Sequence, residues 1–128
     1  MTSINTIELL EPNIILLSTE GEIKIDTYNE MVQKRAQLAK QLGYEKGAYT
    51  VILDARKSFI RQLDIRSLSA GAAMEPTPEC YVLIRSHSNI ILNNIAKFAG
   101  SFAKQTLLIE TTMEGAIKLC HKRLYSLV

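Results

Sequence analysis

At 128 residues the chain has the length of one ordinary domain with one core, and it is read as a single domain over residues 1–128. Hydrophobic residues make up 47% and charged residues 22%, close to the globular average, which excludes collagen-like, disulfide-scaffold and disordered classes. No basic-then-apolar leader opens the sequence and no apolar run approaches the ~20 residues that span a bilayer, so the expectation is a cytoplasmic protein without membrane insertion.

Fifteen Lys and Arg against thirteen Asp and Glu leave a net charge of +2, too mild for the concentrated basic face that nucleic acid demands. The charge is unevenly spread: residues 1–30 carry six acids and one base, and residues 31–66 carry eight bases and three acids. Either these are ordinary solvated faces of a helix and two strands, or they form one acidic and one basic surface suited to a protein partner. Cys80 and Cys120 lie apart, each beside apolar residues. Two buried thiols in a reduced compartment are the default, with a disulfide or metal pair as the alternative.

In chain order, Ile4 to Leu10 and Ile14 to Thr19 read as two short strands around the turn Glu11-Pro12-Asn13. There proline sets φ and asparagine tolerates the left-handed region. Gly21 is expected to interrupt the second strand as a bulge before Ile23 and Ile25 resume the alternation. Thr27 to Glu30 has the form of a capping box, and Tyr28, Met31, Val32, Leu38, Ala39 and Leu42 behind it form one apolar stripe. Gly43 suits the position just past the helix end.

Tyr49 to Leu53 is a compact apolar run, read as a strand buried on both faces that ends at Asp54-Ala55-Arg56-Lys57. Asp64 is placed to cap a short helix carrying Ile65, Leu68, Ala72 and Met74, closed by Pro76 and Pro78. Gly71 inside it costs about 1 kcal/mol relative to alanine. Cys80 to Ile84 is a further buried strand, and Ser88 or Asn89 caps a helix with the stripe Ile91, Leu92, Ile95, Phe98, Ala99 and Phe102. Thr106 to Ile109 is the last strand. A second capping box, Thr111 to Glu114, opens the final helix, with Met113, Ile117, Cys120 and Leu124 as its stripe. His121 lies among lysines near its end, solvated and complementing the dipole. A hairpin followed by alternating strands and helices implies an α/β fold: a mixed, mainly parallel sheet of about five strands with about four helices and right-handed crossovers.

That order, with Val51-Ile52-Leu53-Asp54-Ala55-Arg56, Tyr81-Val82-Leu83-Ile84-Arg85-Ser86 and the run from Thr106 to Ala116, resembles STAS-type domains. These are the anti-sigma-factor antagonists and the cytoplasmic domains of sulphate transporters. The pattern is similar above all to small stand-alone bacterial STAS/SEC14-like proteins. The resemblance covers nearly the whole chain and implies a regulatory module that works through a protein partner. In the antagonists a serine in an Asp-Ser-x-Gly setting at the start of the second helix is phosphorylated, adding nearly two negative charges. This chain reads Ser58 to Ser67 over that stretch without an Asp-Ser pair, which leaves Ser67 and Ser69, deeper in the predicted helix, as candidate phosphorylation positions.

No phosphate loop, dinucleotide fingerprint, nucleophile elbow, zinc-protease helix or Cys-x-x-Cys pair occurs. With two histidines a metal cluster or catalytic triad has little material, so no catalytic residue, metal ligand or cofactor is assigned. His87 follows a predicted strand and precedes a helix start, at the strand ends where open α/β sheets gather ligands. Two readings stand there. Arg56, Arg85 and His87, with Asp54 beside them, hold a small polar or anionic ligand; or Asp54 pairs with an arginine to tie two loops and His87 is an exposed loop residue. Ile95, Phe98 and Phe102 line either the core or a lipid-like pocket. The reading is a non-enzymatic regulatory or interaction module whose partner is a protein, including a second copy of the chain. Its alternative is a small-ligand or lipid-binding domain at the strand-end edge.

Overall fold

The computed structural model describes residues 4–59, 65–85 and 105–125. In chain order it forms β1 (Ile4–Glu11), β2 (Ile14–Glu22), α1 (Ile25–Gln41), β3 (Thr50–Phe59) and α2 (Ile65–Ala72). β4 (Cys80–Ile84), β5 (Leu107–Glu110) and α3 (Met113–Tyr125) follow. The five strands make one sheet in the order β1-β2-β3-β4-β5; β1 runs antiparallel to β2 and the remaining pairs are parallel. This is the expected α/β class. The helix expected around Ile91 to Phe102, its cap, and Asp64 lie outside the described residues.

The hairpin turns where the turn chemistry sits. Asn13 takes φ 69°, its side-chain amide donates to Ala48 O at 2.8 Å, and its backbone N–H donates to Tyr44 Oη at 2.9 Å. Gly21 behaves differently from the expectation. It has φ 89°, yet β2 runs through it to Glu22, and the extra residue lies in β3, where Ser18 faces Asp54 but Glu20 faces Lys57. β3 is therefore longer than its apolar run, because Lys57, Ser58 and Phe59 keep a ladder partner in β2 after β4 has ended.

Alternation along the buried strands splits the core in two. Ile14, Leu16, Ile52, Cys80, Val82 and Ile84 face α3, through Ala116 and Cys120. Ile15, Leu17, Tyr49 and Val51 face α1, through Met31 and Ala39. Farther along, Ile23, Ala55 and Leu83 meet Leu68 of α2 and Tyr28 of α1. Strands so covered need apolar residues at every position, hence their unbroken apolar runs. Cys80 and Cys120 are buried free thiols, as expected, and burial pushes the Cys80 thiol up to about 12, with Cys120 adding to the shift.

The start of α1 departs from the capping-box expectation. Ile23 N–H still donates to Phe59 O at 2.9 Å, and the next helical bond runs from Tyr28 N–H to Lys24 O, so the chain turns into helix as soon as its ladder partner ends. Thr27 and Glu30 fall inside the helix, where Glu30 pairs with Lys34, and Asp26 supplies the negative charge of the first turn. The end of α1 is as read: Gly43 takes φ 73°, with Gly43 N–H donating to Lys40 O and Tyr44 N–H to Ala39 O. This is a Schellman closure.

The uneven charge is partly cancelled within the fold. Glu20 pairs with Lys57 across β2 and β3, which joins the acidic segment to the basic one. His121 is not simply solvated on its helix: its Nε2 meets the Glu11 carboxylate at the end of β1.

Candidate functional site

The carboxyl ends of β3, β4 and β5 carry the charged residues singled out above. Asp54 is the last β3 residue paired with β4, opposite Ile84. Just beyond it Ala55 and Arg56 together face Thr19, forming a bulge. Ala55 drops into the core and Arg56 turns back on Asp54. Arg56 Nε donates to Oδ1 at 2.9 Å and Nη2 to Oδ2 at 2.8 Å, a bidentate fork. The Arg56 hydrogen bonds hold the Asp54 carboxyl below its ordinary range, against the opposing pull of partial burial. On the other side of the bulge the hydroxyls of Thr19 and Ser58 bond to each other out of contact with water. The fork thus stabilises the bulge of one strand; it does not tie two loops, and Asp54 does not end its strand.

Arg85 follows β4, and its N–H donates to Glu110 O at 3.2 Å, extending the parallel ladder by one step. Strand alternation assigns it the side of Leu83, whereas Asp54 shares the side of Ile52 and Ile84. Among the described residues no hydrogen bond or ion pair joins Arg85 to the Asp54–Arg56 fork, and its Nε is shielded without a partner. His87 lies outside the described residues, as do Ile95, Phe98 and Phe102. Ser67 is the third residue of α2, half-buried and engaged in a contact, so it sits in the first turn and not deep in the helix. Ser69 lies two residues further along α2.

The start of α3 shows a cap one residue later than expected. Thr112 Oγ accepts from Gly115 N–H at 3.0 Å, while Glu114 faces outward and pairs with Lys118. The Glu110 carboxylate folds over this helix end, accepting from Thr111 N–H at 3.4 Å. A β-carbon at Gly115 would stand 2.6 Å from Glu110 Oε2, so the glycine makes room for the carboxylate. The positive end of α3, a natural anion seat, is faced by an acid of the same chain. A glutamate followed by Thr-Thr-x-x-Gly was the available signal for it.

Among the described residues the largest fully buried side chain is Arg35 of α1, which the stripe did not include. Nη1 donates to Met74 O at 2.8 Å, Pro76 O at 2.9 Å and Tyr49 Oη at 3.1 Å, and Nη2 donates to Gly71 O at 3.1 Å. Tyr49 Oη donates in turn to Pro76 O. Tyr28 Oη donates to Leu68 O at 2.6 Å and Tyr81 Oη to Ala72 O at 2.8 Å. Burial raises all three phenols, Tyr28 to about 12, against the lowering effect of Arg35. The cation and phenols satisfy the carbonyls that α2 and the segment after it leave open, fastening them to α1 and the sheet. The signal was positional: Arg35 falls three or four residues from Met31, Val32, Leu38 and Ala39, within the stripe.

No protein-family model matches the chain, and no curated protein matches it. Solved structures do. The chain aligns with an anti-sigma factor antagonist from Mycobacterium paratuberculosis at TM-score 0.61 and 13% identity, covering 94% of this chain and 95% of that one. The chain has the anti-sigma-factor-antagonist fold. The same fold appears in SpoIIAA in its unphosphorylated form, at TM-score 0.55 and 17% identity over 98% of this chain and 99% of that one. An uncharacterized protein with a SpoIIAA-like fold from Shewanella loihica gives TM-score 0.62 and 14% identity over 92% and 93%. The fold expected from the likeness to STAS-type domains is the one found. At these identities the likeness is one of backbone architecture.

Proposed function

We propose that this chain is a non-enzymatic regulatory module, a single domain of the cytoplasm that acts by binding a protein, its own second copy included. The observation that carries the reading is how the charged groups at the strand ends are used. Asp54 is spent on Arg56 and the Glu110 carboxylate lies over the start of α3, at the edge where α/β enzymes keep such groups free for substrate. End-to-end likeness to antagonist structures supports the same reading. No described helix is long and apolar enough to cross a membrane. The test is affinity capture of the tagged full chain from its native host with chemical cross-linking. A specific, stoichiometric protein partner is expected; loss of every partner under cross-linking overturns the reading. Phosphorylation at Ser67 or Ser69 is part of it, and intact-mass measurement of native-host protein reads it directly: an added phosphate on either serine supports it, and unmodified mass across growth conditions removes it.

The second reading, a small anionic ligand at the strand ends, narrows to Arg85 with His87 two residues on, on the other side of the sheet from the Asp54–Arg56 fork, and is favoured by the shielded, unpartnered Arg85 Nε. Inorganic phosphate titrated by calorimetry against wild type and Arg85→Ala tests it. Binding that Arg85→Ala weakens at least tenfold supports the site; equal behaviour dismisses it.

A further inference from the structure

We infer that β1 is the docking edge for a second copy of this chain, the two β1 strands pairing antiparallel about a two-fold axis at Ile7 to join two five-stranded sheets into one. The inference rests on the interaction-module reading and gives it a surface. The strand order leaves β1 and β5 as the outer strands. β5 has four residues and β1 has eight, and among the described residues nothing pairs with the outer side of β1. An open edge presents a row of unused N–H and C=O groups; natural edges are blunted by shortness, proline, bulges or charge, lysine above all, and of these β1 carries two glutamates and one bulge at its turn end. Between Ile4 and Glu11 there is no lysine, arginine or proline. The one irregularity of β1 falls between Leu9 and Glu11, beside the turn, so the rest of the edge is regular. Leu9 is 39% exposed.

Symmetry and charge select the register. A two-fold axis perpendicular to the sheet pairs residues that share a face, so it passes through one residue of each strand. An axis at Glu8 sets the two Glu8 carboxylates directly opposite, which is destabilising. An axis at Thr6 sets Leu9 beyond the end of the partner's β1, and an axis at Leu9 centres the pairing on the irregularity between Leu9 and Glu11 and shortens it. At Ile7 the pairs become Ile4 with Leu10, Asn5 with Leu9, Thr6 with Glu8, and Ile7 with its own copy. Glu8 then faces the uncharged Thr6, and Leu9 is covered by Asn5. One strand pair is smaller than a standard interface, so dissociation is expected at roughly 10–1,000 μM.

Sedimentation equilibrium of the full chain, with Thr6→Glu and Thr6→Lys beside it, tests the inference at an exposed position outside the core. The wild type is expected to show a monomer–dimer equilibrium. Thr6→Glu sets two like-charge pairs against Glu8 and weakens it roughly three- to tenfold, while Thr6→Lys makes two opposite-charge pairs and tightens it by a similar factor. Circular dichroism checks that both variants are folded. A wild type monomeric at millimolar concentration overturns the inference, as does a dimer that both variants shift in the same direction or leave unmoved. A monomer that still captures one specific protein overturns the β1 pairing alone and leaves the interaction-module reading in place.

Discussion

At the scale of single residues, a cation with no carboxylate partner among the described residues holds one corner of the molecule. Arg35 is 1% exposed, and its charge is met by carbonyl oxygens and a phenol. Hydrogen bonds to a charged group contribute more than neutral ones, and a buried acceptor left empty costs its full desolvation. Arg35→Met is expected to destabilise the fold by about 2–4 kcal/mol in urea unfolding, because it strands the Met74 carbonyl and takes the charged donor from those of Gly71 and Pro76, which keep only Met74 N–H and Tyr49 Oη. A loss below about 1 kcal/mol would show that water replaces the guanidinium there. Asp54 acts on a smaller scale. Arg56 lowers its folded-state pKa, so the stability it contributes is present above the ordinary carboxylate range and fades as pH falls through the folded value. Arg56 is exposed, which limits the effect to about 1 kcal/mol or less. Asp54→Asn should lower stability near neutrality and converge on wild type in strong acid. Parallel pH curves for the two proteins would refute the assignment.

At the scale of elements, close approach overrules propensity. Gly71 costs a helix some stability by itself, but a β-carbon there would stand 2.7 Å from Tyr28 Cε1 and 2.8 Å from Val32 Cγ2. Gly71→Ala is therefore expected to destabilise by about 1–3 kcal/mol despite better helix propensity, and a rise in thermal midpoint would contradict it. The start of α3 offers a paired comparison. Thr112→Ala removes the cap on Gly115 N–H and should cost about 1 kcal/mol. Thr111→Ala, at the position the sequence pattern favoured, should cost only a few tenths. Equal losses would mean that the cap is shared. The two helix starts that differ from the sequence reading, those of α1 and α3, fall at Thr-x-x-Glu patterns in that reading. In the fold the ladder to β3 frees the chain at Ile23, and the Glu110 carboxylate takes the place beside Gly115. Neither competitor lies within the four-residue window that such a pattern inspects.

For the molecule as a whole, the sheet is sealed on both faces over β2, β3 and β4, and among the described residues no further strand pairs with β1 or β5. Amide exchange should follow that layout, slowest across Ile14 to Leu17, Val51 to Leu53 and Val82 to Ile84, and faster in β1 and β5. Protection in β1 equal to β3 in dilute solution would contradict an open edge. Apolar periodicity already determined the strands, the order of the described elements, the mixed parallel sheet and the burial of both thiols, because a residue's preference for the interior is a property of that residue and repeats with the element's own period. Local turn chemistry likewise determined Asn13 and Gly43, whose left-handed backbones need only their immediate neighbours. Tertiary structure alone decided that Asp54 belongs to a bulge, that His121 meets Glu11, and that Arg35 is interior. Each depends on a partner brought close by folding, 110 residues away for His121 and 36 to 41 for the carbonyls around Arg35. Polar groups choose partners by distance and geometry in space, and no period along the chain encodes that choice.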